Sequence, residues 1–209
     1  GCSAHPASAG CSADTDAAQP NGTDTATPFS LSANAGADAN GDTPRNVDNF
    51  KVYESDGETV KGTYESYSAA YAACPANGTI ALLTETYTFN DSTFKPGTKN
   101  HTLRSDKSLT DQGKTGKIIV NYDDYYFISV GAGSTVTIDN ITLDGNNKTR
   151  NYGFIYVEDS PSAVLNVGDP SNPVSHTVLE RSGYCIIRHL GGTVNLNKGS
   201  EVSNGARYG

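Results

Sequence analysis

Gly133-Ser134-Thr135-Val136-Thr137-Ile138-Asp139-Asn140-Ile141-Thr142-Leu143-Asp144-Gly145-Asn146 holds two short apolar alternations separated by two polar residues. Val136 and Ile138 fall on one side of an extended chain, as do Ile141 and Leu143, while Thr135, Thr137 and Thr142 fall on the other. That period of two marks strands with one buried face. Only Asp139 and Asn140 stand between the alternations, and both residue types tolerate left-handed backbone. A bend so short leaves no room for a crossover helix. The two strands must therefore turn a corner, and pairing passes to the next copy of the pattern.

Such copies follow. In GGTVNLNKGSEVSN, residues 191–204, Val194 and Leu196 repeat Val136 and Ile138, and Ser200 and Val202 take the next inward places after a turn at Asn197 to Gly199. Three stretches, Tyr126 to Tyr152, Gly153 to Gly183, and Tyr184 to Gly209, each carry three apolar runs. They open with FISV, FIYV and YCII, continue with STVTI, SAVLNV and GTVNL, and close with ITL, HTVLE and SEVS. Arg150 with Tyr152-Gly153, Arg181 with Gly183-Tyr184, and Arg207 with Tyr208-Gly209 mark the boundaries. Three short strands per repeat of about 25 to 30 residues, without a helix between them, predict a coiled β solenoid. The middle repeat carries GDPSNPVS at 168–175, whose two prolines exclude a central strand and predict a projecting loop. Tyr208-Gly209 falls in the register where Tyr152-Gly153 opens a new turn, so the expectation is a solenoid that is incomplete at its C-terminus, a fragment of a longer protein.

Upstream the strands are less regular: IALL at 80–83, HTLR around Leu103 and KIIV at 117–120. A helix is expected over Tyr64 to Ala73, where Tyr67, Ala70 and Tyr71 form one apolar face and Pro75 and Gly78 end it. A strand begins at Phe50, Val52 and Tyr53, and SDGE at 55–58 reads as a turn. Residues 46–79 are thus an N-terminal strand and helix that cap the first turn of the solenoid, and residues 80–209 form its coils. Residues 1–45 are Ala, Asp, Ser, Thr, Asn and Gly with only Phe29 and Leu31 as large apolar side chains. They bury too little to offset their ordering entropy and read as a disordered tether.

Composition narrows the function. The net charge is −8, and five of those charges lie in residues 1–49, which hold Asp14, Asp16, Asp24, Asp38, Asp42 and Asp48 against Arg45. Nucleic-acid binding, which needs a basic stripe to displace counterions, is therefore not expected. No segment approaches the roughly 20 apolar residues of a membrane span. Cys2, Cys11, Cys74 and Cys185 form no C-x-x-C metal pair, and Cys185 reads as a small buried apolar residue. Gly1-Cys2 resembles the end of a bacterial lipoprotein signal, which implies a lipid anchor at Cys2, although no apolar segment precedes it.

The helix followed by Asn77-Gly78-Thr79-Ile80-Ala81-Leu82-Leu83, and the Gly-x-Thr-Val-x-Ile/Leu coils at 133–138 and 191–196, carry a family resemblance. From about residue 64 onward the chain resembles right-handed parallel β-helix proteins of the pectin-lyase-like superfamily, particularly bacterial secreted and cell-surface, adhesin-like members. These motifs specify a fold more than an activity. Carbohydrate-active members bind their polymer along the stack made by the first strand of each coil, which directs attention to the outward positions there.

Taking Ile128, Val130, Ile155, Val157, Cys185 and Ile187 as inward leaves Phe127, Ser129, Phe154, Tyr156, Ile186 and Arg188 outward. Phe127, Tyr156 and Arg188 are the candidate ligand-binding residues: rings to stack on sugar and a cation for an acidic one. The alternative, which is favoured for these three residues, is that they pack beneath a loop or stack as an ordinary ladder. A lyase would need a base near the sugar C5 proton and Ca²⁺ on clustered carboxylates, and Asp123, Asp124, Glu158 and Asp159 are the acids near this face. A solvated loop is the reading favoured for these acids. No pair of carboxylates suited to glycosidic hydrolysis is marked, and His101, His176 and His189 are scattered. The reading favoured is a non-enzymatic secreted or cell-surface module, an adhesin-like stalk that binds glycan or a host surface protein without cofactor. The competing reading is a polysaccharide lyase or glycoside hydrolase with most catalytic residues beyond Gly209 and, for the lyase, Ca²⁺. End-to-end self-association through the last coil is a third expectation.

Overall fold

The computed structural model describes residues 47–172 and 174–206; the tether over 1–45, the lipid anchor at Cys2 and the boundary at Arg207-Tyr208-Gly209 lie outside them. The described chain is predominantly β. Its strands are β1 (Phe50–Tyr53), β2 (Val60–Tyr64), β3 (Gly78–Leu82), β4 (Thr86–Phe89), β5 (His101–Ser105), β6 (Gly116–Val120), β7 (Ile128–Val130) and β8 (Thr135–Asp139). There follow β9 (Ile141–Asp144), β10 (Ile155–Val157), β11 (Val164–Val167), β12 (Thr177–Ser182), β13 (Ile187–His189), β14 (Thr193–Leu196) and β15 (Ser200–Gly205). Two short helices interrupt them, α1 (Tyr67–Ala73) and α2 (Lys107–Thr110).

The strands form three sheets: seven strands in the order β14-β11-β8-β5-β3-β1-β2, five in the order β15-β12-β9-β6-β4, and three in the order β13-β10-β7. From β7 onward the chain visits the three-, seven- and five-stranded sheets in turn, and repeats that circuit twice. Every pairing among these strands is parallel, and the circuits superpose inward residue on inward residue. Ile128 pairs with Ile155 and Ile155 with Ile187; Val136 pairs with Leu165 and Leu165 with Val194; Leu143 pairs with Leu179 and Leu179 with Val202.

Val136, Ile138, Ile141 and Leu143 are all fully buried, as their alternation predicts. Burying a side chain of this size stabilises the fold by roughly 1.5–3 kcal/mol, and columns of them make one continuous interior. The corner between β8 and β9 is the single residue Asn140, whose φ is 48°. Its N–H donates to Thr177 Oγ1 at 2.8 Å, which ties the corner to the next circuit. The 168–175 insertion forms turns between β11 and β12, held by Asp139, which accepts from Asp169 N at 3.2 Å and Asn172 Nδ2 at 3.2 Å and also from the Ser175 hydroxyl.

The N-terminal part departs from the parallel pattern: β1 pairs antiparallel with both β2 and β3. Helix α1 starts three residues after the expected Tyr64, because Tyr64 is the last residue of β2 and pairs with Phe50. Ser66 caps it, accepting from Ala69 N at 3.2 Å. Tyr67, Ala70 and Tyr71 form its buried face, and the Tyr67 ring lies 4.7 Å from that of Phe127. The two boundary arginines do different work. Arg150 is wholly buried and donates to Gly145 O and Val120 O at 3.0 and 2.9 Å, whereas Arg181 reaches across to the carboxylate of Asp144. Their shared spacing is not a shared structural role.

Candidate functional site

The outer face of the three-stranded sheet is built from one rung: Ser129 on β7 pairs with Tyr156 on β10, and Tyr156 with Arg188 on β13. The alternation that set Tyr156 beside Arg188 therefore describes the sheet correctly. Phe127, by contrast, is not on this face. It is completely buried, as are Phe154 and, nearly so, Ile186. Each precedes a strand of only three residues, where the chain is bending, and alternation between faces holds only within an extended segment. The Phe127 and Phe154 rings stack 5.9 Å apart in the interior, and the Tyr67 ring also packs against Phe127, at 4.7 Å.

Other tyrosines take the place that Phe127 was expected to fill. Tyr126, just ahead of β7, lays its ring parallel to that of Tyr156, with centroids 5.1 Å apart and planes 12° from coplanar. Tyr125 leans on Tyr126 at 4.2 Å, and their hydroxyls are 2.9 Å apart. Tyr152 stands perpendicular to Tyr156 at 6.1 Å and is 46% exposed. Ser129, the third member of the rung, is buried. Burial, and then the hydrogen bond shared with the Tyr125 hydroxyl, push the Tyr126 phenol up to about 12, so it stays neutral at physiological pH.

Two cations bracket the four rings. Lys95 Nζ lies 3.7 Å from the centre of the Tyr125 ring, and the Arg188 guanidinium carbon lies 5.6 Å from that of Tyr152. Arg188 is steadied by donating from Nη1 to Asn151 O at 2.9 Å. Partly exposed rings with polar tips and flanking positive charge can pack on the C–H faces of a saccharide while hydroxyls and cations bond its oxygens.

Two of the four acids near the face, Asp123 and Glu158, are engaged locally. Asp123 accepts from Thr149 N at 3.0 Å and lies 3.7 Å from Lys148, and Glu158 accepts from Ala132 N at 3.3 Å. Among the described residues no three His, Cys, Asp or Glu side chains gather where they could hold a metal ion. His101 is buried, with Nδ1 2.8 Å from Lys99 O; burial drives it down to about 4, so it is neutral. His189 lies within 3.3 Å of Gly192 O.

Tyr125, Tyr126, Tyr152 and Lys95 were not singled out by sequence. The signal for the tyrosines was present in Tyr126 and Tyr152, each standing at a repeat boundary, since stacking of successive circuits brings boundary residues together. Lys95 lies in an early irregular segment and carries no such signal. No helix among the described residues is long and apolar enough to cross a membrane. The chain matches no family model, no curated protein and no solved structure.

Proposed function

We propose that this chain is a right-handed parallel β-helix module of pectin-lyase-like type, secreted or held at a bacterial cell surface, acting as a non-enzymatic, adhesin-like binder of glycan. The solenoid reading is supported by strands assigned in turn to three sheets, by parallel pairing in register from one circuit to the next, and by a one-residue corner at Asn140. The binding reading rests on one observation: four tyrosines, among them the stacked pair Tyr126 and Tyr156 and the protruding Tyr152, gathered between Lys95 and Arg188 on one sheet face. Small rigid aromatic platforms with hydrogen-bonding rims suit saccharides, whose apolar faces and hydroxyl edges they match. A host surface protein is the alternative ligand.

Binding of the purified chain to a broad glycan panel, neutral and acidic, tests the proposal. The expected result is retention of a subset of glycans, weakened about tenfold by Tyr152→Ala or Tyr156→Ala, in keeping with roughly 0.5–1.5 kcal/mol per aromatic contact. Cleavage of a uronate polymer, lost in Arg188→Ala, would replace this reading with the lyase. Absence of glycan binding, with capture of a host surface protein through the same tyrosines, would replace glycan with protein.

A further inference from the structure

Beside the rings lies one carboxylate with capacity to spare. Glu158 follows Tyr156 by two residues, and its N–H donates to Val130 O at 3.0 Å, so the chain is still laddered against β7 there. Val130 is buried inward, so Gly131 faces the tyrosine side of the sheet. A Cβ added to Gly131 would meet Glu158 Oε2 at 2.9 Å and collide with the Thr98 side chain, which shows both side chains closing over that bare position. The charge of Glu158 is also felt at Tyr126, where it helps to raise the phenol. Glu158 is half-buried and accepts from Ala132 N at 3.3 Å, yet among the described residues it forms no ion pair.

We propose that Glu158 sets the specificity of the tyrosine face, accepting hydroxyl protons from an uncharged saccharide and excluding uronic acids. This deepens the glycan reading above and rests on it. An ionised carboxylate is acceptor-only, with about four lone-pair sites, and the Ala132 N–H occupies one of them. A half-buried anion in that state is best met by a ligand that brings donors, and saccharide hydroxyls do so in charge-assisted hydrogen bonds. The tyrosine hydroxyls beside it can donate to or accept from the same sugar. A sugar carboxylate brings no donor and sets a second anion beside the first.

The nearby cations do not reverse this preference. Lys95 is set over the Tyr125 ring, Arg188 is held against Tyr152 and on Asn151 O, and Lys148 lies 3.7 Å from Asp123. Against these three stand the four acids Asp123, Asp124, Glu158 and Asp159, so the surroundings of the face are net negative. Like charge brought to such a face costs affinity and turns a partner away.

The glycan panel tests this when it includes oligomers of galactose, glucose and mannose beside oligomers of the corresponding uronic acids. The parent is expected to retain uncharged members and to bind the uronate counterpart of a retained glycan at least about tenfold more weakly. Uronate binding should weaken further as salt is lowered, because repulsion is then screened less. Glu158→Gln, of the same shape and with an unchanged circular dichroism spectrum, should tighten uronate binding. It should weaken the uncharged glycan about fivefold, the difference between a charge-assisted and a neutral hydrogen bond. A uronate bound as tightly as its uncharged counterpart, or one that tightens as salt falls, overturns the assignment and leaves the glycan reading standing. A folded Glu158→Gln chain that shifts both members by one factor overturns it as well. If that variant does not fold, the salt dependence of the parent decides alone. Retention of no glycan at all removes the glycan reading and this assignment with it.

Discussion

Tyr156 and Arg188 are direct register partners on β10 and β13, yet the guanidinium of Arg188 is set against Tyr152, 5.6 Å from its ring centre and bonded to Asn151 O. Arg188 therefore positions the most exposed ring of the face. Arg188→Ala should weaken glycan binding about fivefold, corresponding to the ~1 kcal/mol of an exposed cation–ring contact. Arg188→Lys keeps the charge but loses the planar fork, and an intermediate loss is expected. Isothermal titration of both variants measures this.

The interior aromatic stack gives a second prediction. Phe154 is fully buried between circuits, so Phe154→Ala should cost about 3–5 kcal/mol in urea unfolding. Tyr152→Ala, two residues earlier on the open face, should change stability by no more than about 0.5 kcal/mol. Equal effects would mean that Phe154 and Tyr152 are not on opposite sides of the sheet.

The corner at Asn140 gives a third. With φ at 48°, Asn140→Ala should cost roughly 1–2 kcal/mol, whereas Asn140→Gly, free of the Cβ penalty, should be nearly neutral. Thermal unfolding of the two variants discriminates between them.

Acid stability gives a fourth. Burial opposes the charge on Asp144, but the bonds from Arg181 and Asn146 N, with Lys117 at 3.6 Å, outweigh it and hold the carboxyl below its ordinary range. A depressed carboxyl stabilises the fold above its unfolded value of about 3.9 and loses that contribution as pH falls through the lower, folded value. Asp144→Asn should therefore lower stability at neutral pH and flatten the decline below about pH 4. The neutral-pH loss should be about 2 kcal/mol, under the ~3–5 kcal/mol of a fully buried pair because Arg181 and Lys117 stay 39% and 36% exposed. Chemical unfolding across pH measures both.

The legible part of this chain was the part governed by local alternation. Val136, Ile138, Ile141 and Leu143 announce their burial, and Asp139-Asn140 announces the corner, because each depends on neighbours in sequence. Phe127 misled because it sits at a bend, where alternation no longer decides which way a side chain faces. Strands β2 and β4 were missed because VKGTY and TYTF show little apolar pattern and owe their order to β1 and β6 beside them. The tyrosine face was half legible: the Tyr156 and Arg188 rung follows from strand periodicity, but Lys95 and Tyr125 meet only when segments 30 residues apart converge.

If glycan binds at the tyrosine face, the rings of that face must respond to it. The most direct test is fluorine NMR of chain labelled with 3-fluorotyrosine, titrated with a glycan that the panel retains, with each resonance assigned by Tyr→Phe substitution. Tyr126, Tyr152 and Tyr156 are expected to shift together with saturation while Tyr53 and Tyr67 stay fixed. Saturable shifts elsewhere, with those three unmoved, would contradict binding at this face.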